Sequence, residues 1–70
     1  MSAITLTNRV HQLGLRLEWN DFQSIHEDHK TRWTTRVYIN DILYGEGRAF
    51  QKQHARDIAA GTALAHLPDN

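Results

Sequence analysis

Seventy residues carry eight Lys plus Arg against eight Asp plus Glu, and no cysteine. A chain of that length makes one domain at most and buries only roughly 60% of its unfolded surface, so its stability must come from packing or association rather than from disulfides. A net charge of zero excludes a surface that is basic all over, and any polyanionic partner must be met by cations collected on one face.

No stretch approaches the ~20 apolar residues of a membrane span, and Met1 to Asn8 lacks the basic start and apolar run of a secretory signal. The chain is therefore expected to be soluble, with no membrane partner. The lack of cysteine fits an intracellular setting, cytoplasm or nucleus.

Leu6, Val10 and Leu13 recur at helical spacing and Gly14 follows as a stop, which predicts a first helix from about Ile4 to Leu13. From Leu15 the period becomes two, with Leu15, Leu17 and Trp19 on one face and Arg16, Glu18 and Asn20 on the other. This is a first strand. Gln23 to Arg32 has neither period and reads as a loop. Trp33, Thr35, Val37 and Ile39 then alternate with Thr34, Arg36, Tyr38 and Asn40 as a β-branched, aromatic second strand.

Asn40-Asp41 tolerates positive φ and predicts a two-residue hairpin turn. Counting outward, Ile39 faces Ile42, Tyr38 faces Leu43 and Val37 faces Tyr44. Val37, Ile39, Ile42 and Tyr44 then share the inner face, and Tyr38 and Leu43 pair on the outer one. Gly45-Glu46-Gly47 ends this third strand. Gln51 to Leu67 predicts the longest helix, stopped by Pro68, with Ala55, Ile58, Ala59, Thr62, Ala63 and Leu67 as its buried stripe. Lys52, Gln53 and Arg56 fall outside that stripe. No repeat or linker divides the chain.

The run His26-Glu27-Asp28-His29 suggests a metal site at first sight. It has no cysteine, no second ligand pair at usable spacing and not the helical H-E-x-x-H pattern, so no metal and no cofactor are expected. Nor is there a nucleophile with an adjacent base, a glycine loop to cradle phosphate, or a carboxylate cluster. The expectation is a binding module and not an enzyme.

The order of elements and the residues at their ends resemble the double-stranded-RNA-binding domain family. Gly14-Leu15 closes the first helix as in that family, Trp19 stands at its first-strand aromatic, and Trp33 replaces the Phe that opens its second strand. Tyr44-Gly45-Glu46-Gly47 is similar to its glycine-bearing third strand, and Ala55, Ala59, Ala60, Ala63 and Leu64 to its alanine-rich second helix. The resemblance implies an α+β fold, α-β-β-β-α, with two helices on one face of a three-stranded antiparallel sheet. A single such domain would span residues 1–70, with its core at about 4–67.

The function so implied is sequence-nonspecific binding of double-stranded RNA by shape, since an A-form duplex displays its 2′-hydroxyls and phosphates and hides its base edges. Lys52-Gln53-His54-Ala55-Arg56 stands where the family has lysine-lysine-x-alanine-lysine. Lys52 and Arg56 lie at i and i+4, beside a helix N-terminus that favours phosphate, and Gln53 between them donates hydrogen bonds. His29, followed by Lys30, aligns with the family's glycine-proline-x-histidine loop, with Glu27 and Asp28 before it. Thr7 and Asn8 fall on the groove-facing polar positions of the first helix, and Asp57 is expected to take no part. Cationic contacts from Lys52, Arg56 and Lys30 imply a log-affinity against log-salt slope of about −3, if RNA behaves as B-form DNA.

Such a module is free-standing or part of a larger RNA-processing protein. The alternative is a homodimerisation or protein-interaction domain of the same fold, with weak RNA binding or none. It would pair through the third-strand edge, where Leu43 points outward opposite Tyr38.

Overall fold

Ala3, Leu6 and Val10, three and four residues apart, are buried along one side of helix α1 (Ser2–Gln12). The helix begins two residues before its predicted start and stops at Gly14, whose φ of 70° turns the chain back. There the Gly14 N–H donates to the His11 carbonyl at 3.1 Å and the Leu15 N–H to that of Val10 at 3.0 Å. These paired bonds satisfy carbonyls that the last turn would otherwise leave open, and the left-handed residue between them is one glycine adopts at no steric cost. The computed structural model describes residues 1–68.

Three strands follow, β1 (Leu17–Ile25), β2 (Thr31–Ile39) and β3 (Ile42–Ala49), then helix α2 (Lys52–His66). They form one antiparallel sheet in the order β1-β2-β3, and both helices cover one of its faces. The core of that face joins Leu6 and Val10 of α1, Val37 and Ile39 of β2, and Ala59, Ala60 and Ala63 of α2. Leu6, Ile39 and Val37 are its largest fully buried apolar side chains. Each contributes roughly 1.5–3 kcal/mol, so alanines that bring backbones together supply much of the remaining packing.

Four expectations need correction. Gln23 to Arg32 is half strand: β1 runs on to Ile25 and pairs it with Thr31, leaving only His26–Lys30 as a turn. This arm is exposed on both faces at its tip, where Ile25 is 75% exposed, so no buried face imposes an alternating pattern on it.

The second correction is the register. Ile39 pairs with Ile42 and Tyr38 with Leu43 as counted, across a turn in which Asn40 and Asp41 have φ of 50° and 69°. Val37, however, pairs with Gly45, because a bulge places one extra residue, Tyr44, in β3. Strict alternation would have aimed Glu46 and Arg48 into the core. The bulge turns Gly45, Gly47 and Ala49 inward instead and leaves those charges in solvent. Ile42 stays opposite Ile39, on the hairpin side of the bulge, but is 61% exposed at the sheet's end, while Tyr44 packs on the core's margin.

Third, Gly45-Glu46-Gly47 does not end β3, which continues to Ala49. Its two glycines are what let α2 lie directly on the strand.

Fourth, the buried side of α2 is Ala55, Ala59, Ala60 and Ala63. Ile58 is 49% exposed and Thr62 is exposed. The helix packs against α1 as well as the sheet, so its buried direction turns toward Ala60 and carries Ile58 and Thr62 off the stripe.

Candidate nucleic-acid interface

The first turns of α2 and the middle of α1 meet across a shallow groove. Ile4, Thr7, Asn8, Trp19, Gln53 and Arg56 line it, with a volume of about 270 Å³. Thr7 and Asn8 are exposed one helical turn beyond Ala3 and Ile4, which brings them beside Gln53 and Arg56. The Thr7 hydroxyl donates to the Ala3 carbonyl at 2.9 Å and keeps its lone pairs for an outside donor. Asn8 and Gln53 offer both donors and acceptors, the chemistry a ribose 2′-hydroxyl requires.

The two cations of α2 each lie over a tryptophan of the inner sheet face. Lys52 Nζ is 5.5 Å from the Trp33 ring centroid and Arg56 Cζ is 5.1 Å from that of Trp19. Such stacking restrains long side chains near helix termini. Beyond that the two differ. Lys52 makes no ion pair among the described residues. Arg56 is held by Asp21 of β1, through Nε at 3.1 and 3.2 Å and Nη2 at 2.6 Å. The Thr35 hydroxyl donates to the same carboxylate at 2.6 Å. Hydrogen bonds from Arg56 hold the Asp21 carboxyl below its ordinary range against the opposing effect of burial; the Thr35 hydroxyl and the charges of Arg56 and Lys52 add to the shift.

Asp21 was missed as a site residue, although a signal existed. It continues the inward series Leu17, Trp19, Asp21, and an acid at an inward strand position needs a cationic or hydrogen-bonding partner. Which cation would supply it depends on where α2 crosses the sheet.

His29 and Lys30 sit exposed at the tip of the β1–β2 arm, away from the helical groove. His29 has a φ of 62°, and its N–H donates to the His26 carbonyl at 2.9 Å, while the His26 N–H donates to that of Lys30 at 3.1 Å. Asp28 braces the turn from within. It accepts from the Lys30 N–H at 3.0 Å and from both terminal nitrogens of Arg32 at 3.1 and 2.7 Å. Hydrogen bonds from Arg32, then that of Lys30, lower its pKa. The acid preceding His29 thus points at Arg32 and fixes the turn, leaving Glu27 as the acid there with no ion pair among the described residues. His26 and the acids beside it do not gather: among the described residues no three groups are placed to hold a metal ion.

On the opposite face of the sheet Tyr38 and Leu43 lie side by side, as the register requires. Leu43 is 52% exposed. Next to them Arg36 pairs with Glu46 at 2.8 Å and stacks on Phe22 at 5.4 Å.

Two helices on one face of a three-stranded antiparallel sheet, with a polar groove and two stacked cations along the helical side, make a small α-β-β-β-α module. The chain matches the family model described as double-stranded RNA binding motif over residues 6–67, nearly its whole length, and belongs to that family. Its general function is therefore double-stranded RNA binding, and the family is one of binding rather than catalytic domains. A comparison with curated proteins finds no match.

Proposed function

We propose that the domain reads duplex RNA by shape and without regard to sequence, through α1, the tip of the β1–β2 arm and the first turns of α2. The observation that carries this reading is the convergence of Thr7 and Asn8 with Gln53 and Arg56 on one groove. Hydroxyl and amide groups there suit the ribose edges of a minor groove, and Lys52 stands at the adjoining helix N-terminus for phosphate. A footprint of about 16 base pairs takes in two minor grooves and the phosphates between them. The molecule is 42 Å along its long axis, a length of the same order as such a footprint.

The test is a titration against RNA and DNA duplexes of matched sequence and length. Selective binding of the RNA supports the proposal. Equal binding of both reduces it to charge attraction, and binding of neither removes it. Within a larger protein, such a domain would bring duplex RNA to RNA-processing chemistry carried elsewhere.

A second reading, self-association through β3, is favoured by the exposure of Leu43 and Ile42 on an open edge strand. It ranks second because the bulge at Tyr44 interrupts the edge a partner strand would have to follow. A dimer by light scattering that becomes a monomer on Leu43→Lys supports it; a monomer before the substitution ends it.

A further inference from the structure

The Asp21–Arg56 pair changes what the second cation of α2 can do. Asp21 is only 12% exposed, beneath the helix that would face RNA, and it takes the Nε–H and one Nη2–H of Arg56. A guanidinium has five N–H donors, so the Nη1 pair and the second Nη2–H remain. The Trp19 ring, 5.1 Å away, and the bidentate carboxylate together fix the plane in which these point. Arg56 therefore keeps donors for an incoming oxygen, while its positive charge is already balanced. Lys52 stacks on the uncharged Trp33 ring and makes no ion pair among the described residues, the Asp21 carboxylate acting on it only through its longer-range charge.

We propose that Asp21 is a built-in competitor for phosphate: it holds Arg56 in a charge-balanced ion pair that can still donate hydrogen bonds, and so attenuates RNA binding, making the domain a weaker and more salt-tolerant reader than its basic residues imply. This rests on the functional reading above. Affinity from counterion release follows the net charge brought to the phosphates, and a pair of closed charge brings almost none. Arg56 can act as a full cation only by leaving Asp21, which would strand a largely buried carboxylate with the Thr35 hydroxyl as its remaining partner. Asp21 stays ionised throughout the neutral range because its pKa is lowered, so the attenuation is constant and not switched by pH.

The experiment measures affinity at several salt concentrations for a duplex RNA longer than about 16 base pairs, with the parent, Asp21→Asn, Arg56→Gln, the double variant and Lys52→Gln. Asn at position 21 can still accept from Thr35 but carries no charge. Asp21→Asn is expected to tighten binding roughly eightfold near 0.1 M salt and steepen the slope by about 0.9, and the double variant to lose both gains. Arg56→Gln weakens binding through its lost hydrogen bonds and, by leaving the Asp21 carboxylate unpaired, flattens the slope by about 0.9. An Asp21→Asn protein with the parent's affinity and slope overturns the proposal. So does a parent slope of about −3, the value for Lys52, Lys30 and Arg56 all acting as free cations, instead of about −2, and that arm does not depend on how well Asp21→Asn folds. Both failures are distinct from failure of the functional reading, in which the parent shows no RNA binding or Lys52→Gln leaves the slope unaltered. Neither parent nor Asp21→Asn binding RNA would end both.

Discussion

The Asp57 carboxylate of α2 accepts a hydrogen bond from the Ala3 N–H of α1 at 3.0 Å. That N–H is among the four that open the helix without an intrahelical partner, and α1 has neither a side-chain cap nor an acid in its first turn. The cap comes from the other helix, and its negative charge suits the N-terminal end of the α1 dipole. Asp57 is thus not the inert neighbour that its sequence position implies. Asp57→Ala is expected to cost about 1 kcal/mol, lowering the midpoint of a thermal melt by about 4–8 °C. Asp57→Asn, which keeps an acceptor, should recover most of the loss. RNA affinity falls with Asp57→Ala, because the bond seats the helix that presents Thr7 and Asn8.

Gly47 permits the close approach of α2 to β3. A methyl group there would lie 2.6 Å from the Ala59 nitrogen and 2.8 Å from Ile58 Cβ, and at Gly45 it would stand 3.0 Å from the Ala63 nitrogen. Most of these neighbours are helix backbone and cannot swing aside. Gly47→Ala is expected to destabilise by about 1–3 kcal/mol as an overpacked contact, read from the midpoint of urea unfolding. Gly14→Ala tests a different cause at similar cost, since a side chain at Gly14 meets no atom within 4 Å but must adopt a φ of 70°.

Lys52 is the unpaired cation at the start of α2. With the Arg56 charge balanced by Asp21, Lys52 and Lys30 remain as net charges for phosphate, and the expected slope of log affinity against log salt is about −2 rather than −3. Lys52→Ala should weaken binding to duplexes of unrelated sequence alike and flatten the slope by about one. Loss confined to one sequence would argue against reading by shape.

His29 occupies left-handed backbone at the arm's tip, where alanine would add strain of its own. His29→Gly removes the imidazole and suits that φ. The thermal midpoint is expected to hold, while RNA affinity drops several-fold if the ring enters a minor groove. Unchanged affinity removes the tip from the interface.

Asp21 also makes stability depend on pH. Its folded pKa is depressed, so the unfolded chain takes up a proton first as acid is added. The stabilisation it provides is complete above the unfolded value, about pH 4, and is lost as pH falls through the lower folded value. Asp28 contributes in the same direction. Urea midpoints measured from pH 7 to pH 2 should therefore decline less steeply below about pH 4 for Asp21→Asn than for the parent. Equal declines would show that the pair adds nothing to stability.

By itself the sequence determined the five elements in order, the stop at Gly14, the turn at Asn40-Asp41 and the membership that follows from them. These depend on periodicity and turn chemistry within a few residues. It also located the groove residues Thr7, Asn8, Gln53 and Arg56, though only through resemblance. Four matters were decided by tertiary structure: the bulge at Tyr44, the exposure of Ile58, the capping of Ala3 by Asp57 and the capture of Arg56 by Asp21. Each depends on where α2 crosses the sheet and α1. Strand alternation cannot show that a helix needs glycine beneath it, and a count of charges cannot show which cation already has a carboxylate at 2.6 Å.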